Sequence, residues 1–409
     1  MTEREFATEV VQRLQGAGYQ ALFAGGCVRD ELLGRTPADY DIATSATPDD
    51  LKPLFRKCNY FGASFGVVEV LGPRGGDGAW LKVQVATFRA DGDYSDGRRP
   101  DTVEFTSPEH DAARRDFTIN GLFFDPVSER VIDYVGGRAD LEARILRAIG
   151  DPAKRFGEDK LRLMRAARMA ARFELAIDPA TADAIRAMAP QIGVVSAERI
   201  AEELRKMLEN EHRVRGVELL QDLSLLAEIL PEVKASPVDI RATLLALPKD
   251  STFPLVFTAL CADASATTMT AVARRLKLSN EERDRIVWLA KHRTALTNAP
   301  ELPRSKLYPI LAHPGSRDLV ALGFADAAAS RSEPVGAEFA EAVIRQLDPL
   351  QFNPPPLLNG DDLRAMGYEP GKHFKVWLDT IRALQFDGVL DSADDAREKV
   401  REFAVDARG

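Results

Sequence analysis

The sequence predicts a small mixed α/β head followed by a long all-helical part, and three observations predict it. Over residues 1–145, short apolar runs alternate with glycine turns. From about Asp140, apolar residues recur at helical spacing to the C-terminus, with few strand-like runs. Aromatic residues make up only 7 % of a chain rich in Ala and Leu, which favours helix packing over sheet sandwiches.

In chain order, an amphipathic helix opens the sequence and ends near Gly16-Ala17-Gly18. Ala21 to Ala24 reads as a buried strand running into Gly25-Gly26. A helix follows from Val28 to Leu33, stopped by Gly34. Asp41 to Thr44, Gly66 to Leu71 and Leu81 to Phe88 are strand-like, and PRGGDG at 73–78 is a turn between the last two. The polar stretch from Ala90 to Asp101 reads as a loop. Breaks in the helical part are expected at Ile177-Asp178-Pro179, Ile192-Gly193, Leu230-Pro231, Leu247-Pro248, 298–303 and 352–356.

A length of 409 residues corresponds to roughly two to four domains, and 45 % hydrophobic residues can fill their cores. The net charge of −9 excludes a uniformly basic surface, so any nucleic-acid partner must meet a local basic patch. Cys27, Cys58 and Cys261 lie far apart without a CxxC, which argues against a disulfide framework or zinc knuckle and fits a reducing cytoplasm. The N-terminus is acidic and amphipathic, unlike a signal peptide. No run approaches the roughly 18 apolar residues of a membrane span. A cytoplasmic protein with no membrane contact and no obligatory protein partner is expected. The five histidines form neither an HD pair nor a metal-ligand spacing.

The richest segment runs from Gly25 to Asp41, GGCVRDELLGRTPADYD. Lacking Cβ, Gly25 and Gly26 let backbone N–H groups approach a phosphate closely, and Arg29, one turn into the helix, can reach the same group. Asp39 and Asp41 are two apart, so on an extended strand they point to one side. Such a pair can hold Mg²⁺, a hard cation that shares oxygen ligands with substrate phosphates, and a two-ion arrangement can serve both the attacking 3′-hydroxyl and the leaving pyrophosphate. A GG turn alone, or a DxD alone, is more often a simple turn. The ordered set GG…RD…DxD is far more specific.

That order resembles class II CCA-adding enzymes and bacterial poly(A) polymerases, over the first half of the chain and more weakly to the C-terminus. The resemblance implies an α+β head of the polymerase-β-like nucleotidyltransferase fold, with all-α neck, body and tail domains. It puts the head at 1–145, the neck at 146–225, the body at 226–335 and the tail at 336–409. Asp39 and Asp41 would be the metal ligands, and Gly26 and Arg29 would touch the nucleotide.

ARRDFTING, from Ala113 to Gly121, sets two cations beside an anion. Arg115 can hold a triphosphate oxygen in a bidentate grip. Asp116 can accept from a ribose hydroxyl, and Asn120 can cap the turn or orient the arginine. Most RRD triplets are exposed salt bridges. This one resembles the family's RRDFTINA signature, with Gly121 in place of Ala.

FGEDKLRLMRAARMAARF, from Phe156 to Phe173, repeats Asp159, Arg162, Arg165 and Arg168 every three residues. On one continuous helix each step drifts by about 60°, so the first three share a broad face and Arg168 lies at its edge. Periodicity alone reads as a solvated basic face. EDxxRxxRxxR, however, resembles the family's amino-acid template, in which Asp159 and Arg162 pair with the base of an incoming CTP or ATP. Arg165 and Arg168 would bind phosphates or stack.

YSDGRRPD, from Tyr94 to Asp101, resembles the family's flexible loop, with Asp96, Arg98 and Arg99 coupling head and neck as the pocket switches from CTP to ATP. A loop of this length argues against a CC-only enzyme. On the strand KVQVATFR, Gln84 stands where relatives often have Glu, and Glu69 and Glu104 are the candidate stand-ins for a third carboxylate. Glu198 and Arg199, in SAERIAEELRKML, are expected to stabilise a helical junction. LKLSNEERDRI from Leu276 and LLNGDDLRAMGYEPGKHF from Leu357 resemble the family's body and tail, which implies phosphate contacts with tRNA acceptor and T arms.

The resemblance therefore implies template-independent addition of CCA to a tRNA 3′ end, from CTP and ATP with Mg²⁺ and release of pyrophosphate. An A-adding enzyme or a poly(A) polymerase is the alternative within the class. FGASFGVVEV, from Phe61 to Val70, lacks the arginine pair of the poly(A) polymerases. A catalytically silent RNA-binding protein is the alternative outside it, and binding alone needs no carboxylate pair.

Overall fold

A computed structural model describes residues 1–62, 66–76, 78–91, 103–233, 239–346 and 352–406. The chain divides into two units, Met1–Pro231 and Glu232–Gly409.

The first unit opens with α1 (Glu3–Gly16), whose start is set by a capping box: Thr2 accepts from the Glu5 N–H, and the Glu5 carboxylate accepts from the Thr2 N–H. Seven strands then form one mixed sheet: β1 (Ala21–Ala24), β2 (Asp41–Thr44), β3 (Cys58–Gly62), β4 (Val67–Arg74), β5 (Trp80–Thr87), β8 (Leu122–Asp125) and β9 (Arg130–Asp133). Their order is β3-β4-β5-β2-β1-β8-β9. Only β2 and β5 pair in parallel; every other neighbour is antiparallel. Two further short strands, β6 (Arg89–Asp91) and β7 (Val103–Phe105), make a separate hairpin.

β1 lies near the middle because all four of its residues are apolar and buried. β5 alternates exposed and buried residues, so one face packs inward and the other carries Gln84 into the open. The core of this part joins Leu22, Ala24, Ala43, Phe88, Ala112 and Phe123. The helices around it are α2 (Gly26–Leu32), α3 (Pro48–Leu54), α4 (Pro108–Ala113) and α5 (Gly137–Glu142). Strands β3, β8 and β9 and helix α3 had no clear signal in the sequence. CNYFG and LFFD lack polar alternation, and their burial is decided by neighbours far along the chain.

Helices take over after Ile149: α6 (Pro152–Glu158), α7 (Leu161–Arg172), α8 (Pro179–Met188), α9 (Ala197–Leu208), α10 (Arg213–Asp222) and α11 (Leu225–Ile229). One short parallel pair, β10 (Ile145–Leu146) with β11 (Ala176–Ile177), ties α7 back to the segment before α6.

The second unit is helical throughout its described residues, from Ile240–Ala246 to Ala393–Asp406. It holds two apolar clusters, one around Leu289, Leu307 and Leu319 and one around Leu363, Trp377, Ile381 and Val400. No helix among the described residues is long and apolar enough to cross a membrane.

Candidate nucleotide-binding and catalytic site

The site begins where β1 turns into α2. Gly25 has φ 74° and ψ −117°, a backbone that favours glycine. A Cβ there would also stand 2.6 Å from Arg115 Nη1. Glycine is thus favoured by the backbone, and its lack of a Cβ lets the Arg115 guanidinium close over the turn.

Asp41 is the first residue of β2, and Asp39 precedes the strand in the loop. The pair is therefore not carried on a continuous strand, as the i, i+2 spacing suggests. Asp41 opens to solvent, yet surrounding protein pushes its carboxyl up to about 6; the nearby Asp39 charge adds to this and Arg115 opposes it. Neither aspartate has an ion-pair partner among the described residues.

Asp41 lies in register with Gln84, and Gln84 with Glu69, so the three share one face of the sheet. Glu69 is two strands, roughly 9–10 Å, from Asp41. Its carboxylate accepts from Asn59 Nδ2 at 2.6 Å and has Lys82 at 4.0 Å. Glu69, one of the two candidate stand-ins, is thus engaged by Asn59 and Lys82. Among the described residues no group of three Asp, Glu, His or Cys side chains can hold a metal. The donor set is two carboxylates, one of them raised in pKa by burial and further by the other's charge. It fits a hard cation that takes its remaining oxygens from a substrate.

The Arg-Arg-Asp segment follows α4 and is held by Asp111, which sequence reasoning missed. Asp111 Oδ1 accepts from Arg114 Nε and Nη2 at 2.9 and 2.7 Å, and Oδ2 accepts from Arg115 Nε and Nη2 at 3.2 and 2.9 Å. Burial pushes the Asp111 carboxyl up, but the two guanidinium groups outweigh it and hold it below the usual range. The signal was available: Asp111 stands three and four residues before the arginines, one helical turn. Arg115 Nη1 also donates to the Asn120 carbonyl.

Asp116 is engaged within the protein. Its Oδ1 accepts from the Phe117 N–H at 2.8 Å and Asn120 Nδ2 at 2.9 Å, and its Oδ2 accepts from Arg165 Nε and Nη2 at 3.0 and 2.7 Å. Four donors thus reach this carboxylate, and it anchors Arg165 and Asn120 in the site. Burial pushes Asp116 up, while Arg165 and Asn120 hold it far below the usual range. Asn120 does orient an arginine, and it is Arg29. Asn120 Oδ1 accepts from Arg29 Nη1 at 2.5 Å, and Arg29 Nε and Nη2 donate to Asp30.

The EDxxR segment is not one helix. α6 ends at Glu158 and α7 starts at Leu161; Asp159 between them is extended, with φ −147° and ψ 108°. The cause is local. The Asp159 side chain accepts from the Leu161 N–H at 3.0 Å, and such bonds compete with the helix. The break also turns Asp159 toward α9, where Arg199 Nη1 and Nη2 donate to its two oxygens at 3.1 and 2.7 Å. Arg199, expected only to brace a junction, is thus part of the site. Arg162 Nη1 donates to Glu158 Oε2 at 2.6 Å and to the Arg155 carbonyl at 2.9 Å. Arg168 is buried and donates to Glu203 at 2.5 Å; Glu203, only 3 % exposed, also faces Arg165 at 3.8 Å. Arg165 and Arg168 are therefore held in ion pairs. Glu203 lies 35 residues from Arg168, and nothing in the sequence pairs them.

These elements enclose one cavity of about 570 Å³, lined by Gly25, Gly26, Arg29, Asp41, Gln84, Arg114, Arg115, Asp116, Asn120, Asp159, Arg162, Arg165, Arg168, Arg172 and Arg199 among others. Eight arginines and three aspartates stand in this wall, so a chain of net charge −9 presents a local cationic pocket. Asp96, Arg98 and Arg99 lie outside the described residues.

Residues 21–147 match the poly A polymerase head domain, and residues 174–236 match the probable RNA- and SrmB-binding site of polymerase A. The CCA-adding enzyme of Geobacillus stearothermophilus is 42 % identical over 220 residues, 54 % of this chain and 53 % of that enzyme, so this match spans about half of its length. A solved structure, the Bacillus stearothermophilus CCA-adding enzyme in complex with CTP, superposes with a TM-score of 0.79 at 27 % identity, covering 99 % of this chain and 100 % of that one. The mixed sheet followed by helices is thus the polymerase-β-like head with its helical continuation. The CCA-adding enzyme of Lactobacillus helveticus is 33 % identical over 406 residues, 97 % of this chain and 96 % of that enzyme. With a relative matched over nearly its whole length, this chain belongs to the family of CCA-adding enzymes that shares the poly(A) polymerase head.

Proposed function

We propose that this chain adds CCA to the 3′ end of tRNA, taking CTP, CTP and ATP in turn without a nucleic-acid template and releasing pyrophosphate. The observation that carries this reading is a single cationic cavity with Asp41, beside Asp39, in one wall and Asp159 with Arg162 in another. Its volume of about 570 Å³ suits one nucleotide at a time, within the roughly 300–1,000 Å³ usual for ligand pockets.

Asp39 and Asp41 hold Mg²⁺, which supplies charge neutralisation to the transferring phosphoryl group when bound. Arg115, clamped by Asp111, presents its remaining donors to the triphosphate. Gly25 and Gly26 let the phosphates approach the backbone, and Arg29 braces the turn through Asn120. Asp159 offers acceptors and Arg162 offers donors, the edge that a cytosine or adenine matches. Arg165, Asp116 and Arg168 fix the neck helix that carries them. Residues 1–145 serve as head and 146–225 as neck. The body, 226–335, and the tail, 336–409, meet the acceptor and T arms of tRNA through phosphate contacts. The protein works in the cytoplasm.

A second reading, ATP-only addition by an A-adding enzyme or poly(A) polymerase, is favoured by the match of the head to poly A polymerase. One experiment separates them: incubation with tRNA lacking CCA, tRNA ending in CC, and oligo(A), with CTP and ATP singly and together. Complete CCA addition to the first substrate supports the proposal. ATP-only extension of the CC-ended tRNA identifies an A-adding enzyme, and long A tails on any RNA sink both tRNA readings. Extension of none leaves a silent RNA-binding protein.

A further inference from the structure

Phe173, fully buried just past the end of α7, is surrounded by three guanidinium groups. Arg29 stands 4.2 Å from the ring centroid, Arg172 5.1 Å and Arg35 5.2 Å. Only Arg29 has a carboxylate, Asp30. Among the described residues neither Arg35 nor Arg172 has one within reach, and their one guanidinium hydrogen bond runs from Arg35 Nη1 to the Arg172 carbonyl at 3.3 Å. Every other arginine of the cavity wall has a carboxylate partner. The aromatic face attracts each cation but does not cancel their mutual repulsion, and Arg172 opposes the charge of Arg29. Like charges gathered without counter-ions make an anion site.

The direction of the cluster selects the anion. Arg29 is buried in the cavity wall, Arg172 is half-buried in the same wall, and Arg35 is exposed on the loop that leads from α2 to Asp39. The cations therefore lead from the cavity wall to an exposed arginine that stands shortly before Asp39 in the chain. We propose that Arg35 and Arg172 bind a backbone phosphate of the RNA strand whose 3′ end enters this cavity. Two guanidinium forks with free donors match a phosphodiester. This rests on the reading of RNA as the acceptor.

The test uses the full chain and a tRNA transcript lacking its terminal CCA. Binding is measured without nucleotide or metal over a KCl series, for wild type, Arg35→Gln, Arg172→Gln, the double variant and Arg172→Lys, with thermal melts as a folding control. Each glutamine is expected to weaken binding roughly three- to ten-fold and reduce the salt slope by about one. Arg172→Lys keeps the slope. The KM for CTP is read on Arg35→Gln, whose residue lies outside the cavity wall, and stays within about two-fold. Unchanged RNA affinity and slope in the double variant overturn the proposal. A higher KM for CTP at unchanged RNA affinity also overturns it, since the anion is then the triphosphate. Arg35 is exposed, so Arg35→Gln alone decides the matter if Arg172→Gln fails to fold. Wild-type enzyme that extends tRNA while the variants bind RNA normally fails this proposal alone. Wild-type enzyme that binds tRNA through these arginines but extends nothing fails the functional reading alone.

Discussion

The two ends of the cavity are built on opposite principles. At one end Asp39 and Asp41 have no ion-pair partner among the described residues, and burial, with the Asp39 charge adding to it, raises the Asp41 carboxyl to about 6. At the other end every charge is answered by protein: Asp159 by Arg199, Arg162 by Glu158, Arg165 by Asp116 and Glu203, Arg168 by Glu203. An end that waits for an external ion is left frustrated. An end that must present one fixed hydrogen-bonding edge is held rigid before substrate arrives. The difference teaches where function opposes stability and where it coincides with it.

Breaking the frustrated end gives the largest effect. Asp41→Asn is expected to cut nucleotide incorporation by about three orders of magnitude, the loss of roughly 4 kcal/mol of charge stabilisation. The same variant should melt slightly higher at pH 7, because it removes an unpaired charge. The sign follows from the pKa: the folded state holds a proton up to about 6 that the unfolded state releases near 3.8, so Asp41 costs stability as pH rises through that window. Solvent access limits the gain to about 1 kcal/mol. Near-wild-type incorporation would refute the metal assignment.

Breaking the satisfied end should act first on stability. Glu203→Gln leaves buried Arg168 without its counter-charge, and urea unfolding should show a loss of about 3 kcal/mol. Arg199→Ala should act on selectivity: Asp159 loses its bidentate partner, and discrimination between CTP and ATP in single-nucleotide assays falls about ten-fold with a smaller loss of rate. Unchanged discrimination would return Arg199 to a purely structural role. The smallest effect sharpens the contrast through pH. The half-saturating Mg²⁺ concentration should rise as pH falls through about 6, since a protonated Asp41 cannot ligate the ion, with a slope of about ten-fold per unit. Asp39→Asn should move that rise to lower pH by removing the neighbouring charge.

Much of the head was legible because its signals are local. The Gly25-Gly26 turn and the first strand lie close together in the chain and obey local turn and burial rules; of the aspartate pair, Asp41 opens a strand as its spacing suggests, whereas Asp39 stays in the loop before it. Helix α7 was legible from its period, but its first acidic member was not part of it. The side-chain bond from Leu161 N–H to Asp159 lies at the start of α7 and leaves Asp159 outside it, and periodicity cannot see such a bond. The pairing of Asp116 with Arg165 was not legible, because the two lie 49 residues apart. Glu203, the charge that holds two arginines, is one of five acidic residues in 198–211 and looks like the rest until α9 packs on α7.

By itself the sequence determined the chemistry on offer: a glycine turn at a helix start, two closely spaced carboxylates, and an arginine ladder near an aspartate. Short-range sterics and hydrogen-bond valence settle those, whatever the rest of the chain does. Only the tertiary structure decided which charges are spent and which are free. Asp116 and Arg168 are used up inside the protein, Arg199 is drawn into the cavity, and Arg35 and Arg172 are left without counter-ions around Phe173. Ion pairing depends on distance in space and on burial, and neither is written in the spacing of residues along the chain.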